Sequence, residues 1–145
     1  MRRMIRIFML ALPMLLFISC ENVFHNDELD FMWRLDSVEY TDGVDLFGKP
    51  CSKEDKEGLW FSFARDLVRI ESSNSTFAAI GVLTDQGNTL VFDFSMYKEE
   101  NWPGIENGLK LMGIDSYVST YTVTELNRKN MILTGKKTVL RLTKW

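Results

Sequence analysis

Asp93, Glu99, Glu100 and Asp115 lie in one stretch of the chain, and two carboxylates at the right separation can run a glycosidase-type acid–base reaction. In an acidic chain, loop acids more often keep the surface hydrated, so an enzyme is not the expected reading. Nucleophilic catalysis needs a base beside the nucleophile and a third group to orient the base. The chain has one histidine, His25, in a polar segment that reads as a spacer. Its two cysteines, Cys20 and Cys51, are far apart and lack the Cys/His spacing of a zinc site. Asp42-Gly43-Val44-Asp45 begins like a calcium loop but lacks the later acids and the terminal Glu, which makes it a turn. A glycine-rich phosphate loop is also missing from the sequence. No catalytic residue, metal or cofactor is therefore assigned.

The apolar residues permit a different chemistry. Small-molecule sites are concave, mostly apolar and set with a few polar groups. Trp33, Leu35, Phe61, Phe63, Ile70, Phe92, Phe94 and Tyr121 would line such a space if the segments that carry them curl around a common axis. The plainer reading is that these large side chains fill a small barrel completely, which is the default for a chain of this size. An internal cavity on the order of a few hundred Å³ would distinguish the two. Trp60, Tyr97 and Trp102 fall on the nominal outer face or in a long loop, where a protein partner would find them. Single exposed aromatics are also common without any partner.

The elements that must position these residues are strands. From Phe31 onward apolar residues recur with a period near two, and polar breaks interrupt them every eight to twelve residues or so. The expected strands are Phe31–Tyr40, Leu59–Ala64, Leu67–Glu71, Thr76–Leu83, Thr89–Met96, Tyr117–Leu126, Met131–Leu133 and Thr138–Trp145. Trp33, Leu35, Val68, Ile70, Leu140 and Leu142 alternate with Arg34, Asp36, Arg69, Arg141 and Thr143, so each strand has one apolar face. Short breaks such as Arg65-Asp66 and Gly135-Lys136 make neighbours antiparallel. Eight strands that close on themselves, first against last, cover the apolar face and remove both edges. A two-sheet sandwich is the alternative. Thr76–Leu83 is apolar on both faces, which calls for a cover from outside. Thr41–Gly58 reads as a solvated loop with at most one helical turn. In Glu99–Ser116, Ile105, Leu109 and Met112 have the spacing of a short amphipathic helix lying on one barrel mouth.

The remaining features concern location. The chain has 145 residues, 46% of them apolar, and its 17 basic against 20 acidic side chains give a charge of −3. One globular domain fits this arithmetic, and the basic footprint of a nucleic-acid binder is missing. Arg2, Arg3 and Arg6 precede the apolar run Ile7–Ile18, which is the layout of a signal peptide over residues 1–19. Phe17-Ile18-Ser19-Cys20 resembles the bacterial lipobox, with Phe17 where Leu is usual. The resemblance implies cleavage before Cys20 and acylation of that cysteine, hence a membrane anchor of two or three chains. Residues 20–30 would then be a lipidated, flexible tether. Removing residues 1–19 leaves 14 basic against 20 acidic side chains and a charge of −6, which gives anionic lipid no attraction. An unlipidated Cys20 would instead leave a bridge to Cys51 open.

The lipobox, Trp33 in the first strand, the eight-strand meander and the last pair Met131–Leu133 and Thr138–Trp145 together resemble the small lipocalin-like lipoproteins of Gram-negative anaerobes. That resemblance implies an all-β, eight-stranded antiparallel up-and-down barrel over residues 31–145. It also implies an arginine of the last strand packed over the first-strand tryptophan, here Arg141 over Trp33, although alternation puts Arg141 on the opposite face. By analogy with the family, the protein would carry a small apolar molecule and sit in the cell envelope, at the outer membrane, in either leaflet. A non-enzymatic accessory of an envelope complex, with a solid barrel core, is the alternative.

Overall fold

A computed structural model describes residues 28–74 and 76–145. The signal segment, Cys20 and His25 lie outside the described residues. The elements are β1 (Met32–Tyr40), β2 (Lys53–Asp55), β3 (Leu59–Ala64), β4 (Leu67–Ser72), β5 (Ala78–Asp85), β6 (Thr89–Asp93), α1 (Ile105–Leu111), β7 (Val118–Leu126), β8 (Asn130–Thr134) and β9 (Thr138–Lys144).

Eight of the strands form one antiparallel meander, and β1 returns to pair with β9 from Trp33↔Lys144 to Tyr40↔Thr138. The sheet is thus a closed barrel and not a sandwich. Its cause is visible strand by strand. In β4, Val68 and Ile70 are buried while Leu67 and Arg69 are exposed, and β6, β8 and β9 alternate in the same way. Each fully buried aliphatic or aromatic side chain contributes about 1.5–3 kcal/mol. A one-residue slip would turn that whole set toward water.

The structure corrects four expectations. First, residues 53–55 form a strand and not a helical turn. A bulge between Leu35 and Ser37 lets β1 leave β3, with which it pairs only at Met32–Arg34, and β2 takes the vacated edge at Ser37–Glu39. The charge run hid this strand because Lys53 and Asp55 face solvent. Second, β6 stops at Asp93, whose carboxylate accepts a bond from the Ser95 amide and turns the chain. Third, the outer face of β5 is open: Ile80 and Val82 are 45% and 49% exposed. Fourth, Leu29, placed in the tether by its polar neighbours, is buried.

Gly81 explains why β5 carries small residues. It points inward, and an added Cβ would stand 2.8 Å from both the Phe94 ring and the Asp93 carbonyl oxygen. The missing side chain makes room for Phe94.

Candidate functional site: the barrel interior and its two ends

All eight proposed lining residues point inward and are buried. Trp33, Leu35, Phe61, Ile70, Phe92 and Phe94 are wholly covered, with Phe63 at 3% and Tyr121 at 1%. Four of them form a chain of rings. Phe61 to Phe63 and Phe61 to Phe92 have centroids 6.2 Å apart, Phe63 to Phe92 5.9 Å, and Phe92 to Tyr121 5.1 Å. These spacings are those of attractive, mutually packed aromatics. Four clefts open on the outside of the barrel, and none of these four has any of the eight in its wall. The rings pack against one another in the interior.

One end of the barrel carries the β3–β4, β5–β6 and β7–β8 turns. Here Leu29 plugs the opening, and its carbonyl accepts a bond from the Trp33 indole N–H at 3.2 Å. The cation beside Trp33 is Lys144, whose Nζ lies 3.0 Å from the centre of the Phe31 ring and 5.8 Å from that of Trp33. Arg141, which the resemblance placed there, faces outward and pairs with Glu39 at 2.7 Å. Strand parity forces this, because Leu140 and Leu142 point in. The Arg141 bond also holds the Glu39 carboxyl below its ordinary range.

Helix α1 and its flanks cover the other end. Ile105, Leu109, Met112 and Ile114 are buried, so the expected helix and its apolar face are both present, with Met112 as the C-cap. The helix starts without a side-chain cap of its own, at Gly104 in the left-handed region. Glu99 supplies the missing acceptor: its two carboxylate oxygens take the amides of Gly104 at 2.6 Å and Glu106 at 3.2 Å. These bonds lower the Glu99 pKa, and a negative charge at a helix start is favourable. At the far end, the Gly113 carbonyl accepts from the Tyr121 hydroxyl at 3.1 Å and from Thr138 Oγ1 at 2.7 Å. Gly113 is left-handed, and a Cβ there would meet Leu140 at 2.6 Å. The helix is therefore latched to the barrel at its C-terminal end, while its start is held by its own loop. Beside that start, Phe77, Trp102, Ile105 and Leu111 wall a groove of about 440 Å³.

Polar groups inside the barrel are few and paired. Burial drives the Tyr121 pKa upward. Tyr40, also raised by burial, donates to Glu54 at 2.9 Å, and Lys56, nearly buried, pairs with the same carboxylate at 2.8 Å. Burial pushes Glu54 up, but the bonds from Lys56 and Tyr40 outweigh it and leave the carboxyl lowered. Glu54 and Lys56 were missed in the sequence. The only signal was that Glu54 alternates with Lys53 and Asp55 inside a charge run.

The four carboxylates considered for acid–base work do not share a cleft among the described residues. Asp93 and Glu99 bind backbone amides, Asp115 accepts from Ser119 at 3.1 Å, and Glu100 is exposed. Asp42 and Asp45 likewise accept amides of their own loop, as a turn requires. Cys51 is a free, half-buried thiol that donates to the Lys53 carbonyl. Of the three outer aromatics, Trp102 is exposed, while Trp60 and Tyr97 are partly covered by ring contacts to Trp145 and Trp102.

The lipocalin-like domain family matches residues 14–145. Two solved structures resemble the chain: an uncharacterized protein from Bacteroides eggerthii, 15% identical with a TM-score of 0.60, and a lipocalin-like protein from Bacteroides uniformis, 14% identical with a TM-score of 0.58. Each alignment covers 81% of this chain and 99% of the other. At such identities the likeness speaks for the fold alone. No curated protein matches the chain.

Proposed function

Because the chain belongs to the lipocalin-like domain family, whose fold suggests a small-molecule-binding barrel, we propose that it binds a small apolar molecule in the barrel interior and is held to the envelope membrane by acyl chains on Cys20. Barrels of this family are typically binding proteins. The observation that supports the site is the helix-covered end. An unbroken aromatic lining lies beneath a seven-residue helix that is fixed to the barrel at Gly113 and capped at its start by Glu99. Swinging α1 away from Phe77 about the Gly113 end opens a path from the outer groove to Phe92 and Tyr121. The ligand is apolar because the polar groups there already bond one another.

Titration of the purified protein with cis-parinaric acid, a fluorescent apolar probe, tests this reading. Saturable uptake that Phe63→Trp abolishes without loss of folding supports an interior site. Uptake that is absent at every concentration refutes it. The second reading, a solid-core accessory of an envelope complex, draws on the ring-to-ring packing of the interior and on the exposed Met96, Trp102 and Leu111 near α1. Envelope proteins that co-purify with the wild type and not with Trp102→Ser, together with no uptake of the probe, would favour it. Intact-mass measurement of membrane-extracted protein tests the anchor: an unmodified Cys20 removes it.

A further inference from the structure

We infer that the end of the barrel plugged by Leu29 rests on the lipid bilayer, with Phe31, Met32, Leu67, Val82 and Trp145 seated in its interfacial layer. The inference deepens the anchoring proposed above and rests on it. Three observations point to lipid as the occupant.

The first is where the chain enters. The described residues begin at Glu28, on the plugged end, and seven residues stand between it and Cys20. Eight chain steps span at most about 28 Å even when fully extended. Acylated Cys20 therefore keeps this end of the barrel within that distance of the membrane.

The second is what this end exposes. Phe31 is 44% exposed, Met32 39%, Leu67 45%, Val82 49% and Trp145 76%. The sheet makes them neighbours: the Trp145 amide bonds the Met32 carbonyl, the Phe63 amide bonds the Phe31 carbonyl, and Ala64 pairs with Leu67, which pairs with Val82. They form a continuous apolar rim on one side of the barrel. Soluble surfaces rarely gather large apolar groups in this way without an occupant. The exposed Trp145 ring, standing edge-on to Trp60 at 5.0 Å, has the apolar body and polar N–H that favour the water–lipid boundary.

The third is charge. Arg34, Arg65, Arg128, Lys129 and Lys144 are mixed with Glu28, Asp30, Asp36, Asp66 and Asp85 around this end, so no basic surplus drives the contact. The attraction is apolar and insensitive to salt, as expected for a zwitterionic surface and not for a polyanionic partner.

The test uses the full, acylated protein bound to phosphatidylethanolamine–phosphatidylcholine vesicles, with bromine atoms on the phosphatidylcholine acyl chains as a contact quencher. Wild type is expected to lose tryptophan emission on binding. Trp145→Phe should lose several-fold less, whereas Trp102→Phe, altered at the opposite end, should be quenched like wild type. Leu67→Ser with Val82→Ser, both exposed, should reduce quenching of a protein that remains vesicle-bound. Vesicle-bound, acylated protein with no quenching, or quenching unchanged by Trp145→Phe, overturns the docking while leaving the anchor intact. An intact mass showing bare Cys20 overturns both together, so the two failures are told apart.

Discussion

Gly81 and Phe94 share one space. Adding a Cβ at Gly81 drives it into the Phe94 ring and the Asp93 carbonyl, and overpacking of this kind costs about 1–3 kcal/mol. Gly81→Ala should lower the urea midpoint accordingly with little change in the slope; an unchanged midpoint would show that Phe94 yields freely. The sequence marks Gly81 as unusual within an apolar strand but cannot say that the cause is a ring just past the end of the next strand. Face parity, by contrast, is legible from sequence, and all eight inward aromatic and aliphatic residues follow it. The same parity turned Arg141 away from Trp33. Lys144 takes that position because it follows Leu140 and Leu142 at steps of two and pairs with Trp33 at the end of the ladder, so parity turns its long side chain over the opening.

Helix α1 shows what spacing alone conveys. Ile105, Leu109 and Met112 define its buried face from sequence, yet its attachments depend on Glu99, Tyr121 and Thr138, which are brought to it by the loop and two strands. Gly108 sits against Phe77, where a Cβ would approach the ring to 1.9 Å. Alanine gains about 1 kcal/mol of helix propensity there, but the clash outweighs it. Gly108→Ala should therefore destabilise the protein in thermal unfolding, and Gly108→Ala combined with Phe77→Ala should recover part of the loss; additive losses would contradict the contact.

Glu99 gives the same element a pH dependence. Its folded pKa lies below the ordinary 4.5 because the Gly104 and Glu106 amides bond the carboxylate. Its contribution is thus complete above pH 4.5 and is lost as the pH falls through the lowered folded value. Relative to the intrinsic amide rate, which itself falls in acid, hydrogen exchange at the Gly104 and Glu106 amides should quicken on acidification below pH 4.5. In Glu99→Gln it should be fast throughout. Identical pH profiles in the two proteins would exclude Glu99 as the cause. Strand β2 was illegible for the opposite reason to α1: three charged residues carry no apolar period, and only the departure of β1 from β3 gives them a partner.

At the scale of the whole molecule, the meander and the pairing of first strand with last follow from the count of apolar-faced segments and the shortness of the turns between them. Whether the enclosed space is hollow does not follow, because it is set by how ring volumes mesh. Phe92 touches Phe61, Phe63 and Tyr121 at the centre. Phe92→Ala should cost about 3–5 kcal/mol and at the same time increase uptake of cis-parinaric acid, since the lost ring leaves room next to Tyr121. A variant that loses stability and gains no uptake would place ligand binding elsewhere.

Closing the barrel leaves one strand, β2, with a neighbour on one side only among the described residues. That gap is three residues long, and two of them hold outward charges of opposite sign, Lys53 and Asp55. A second molecule seeking to extend the hydrogen-bonded ladder would have to strip water from both for very little gain. Replacing the pair with valine should convert a guarded gap into a growing end, visible as concentration-dependent fibril formation that the native chain resists.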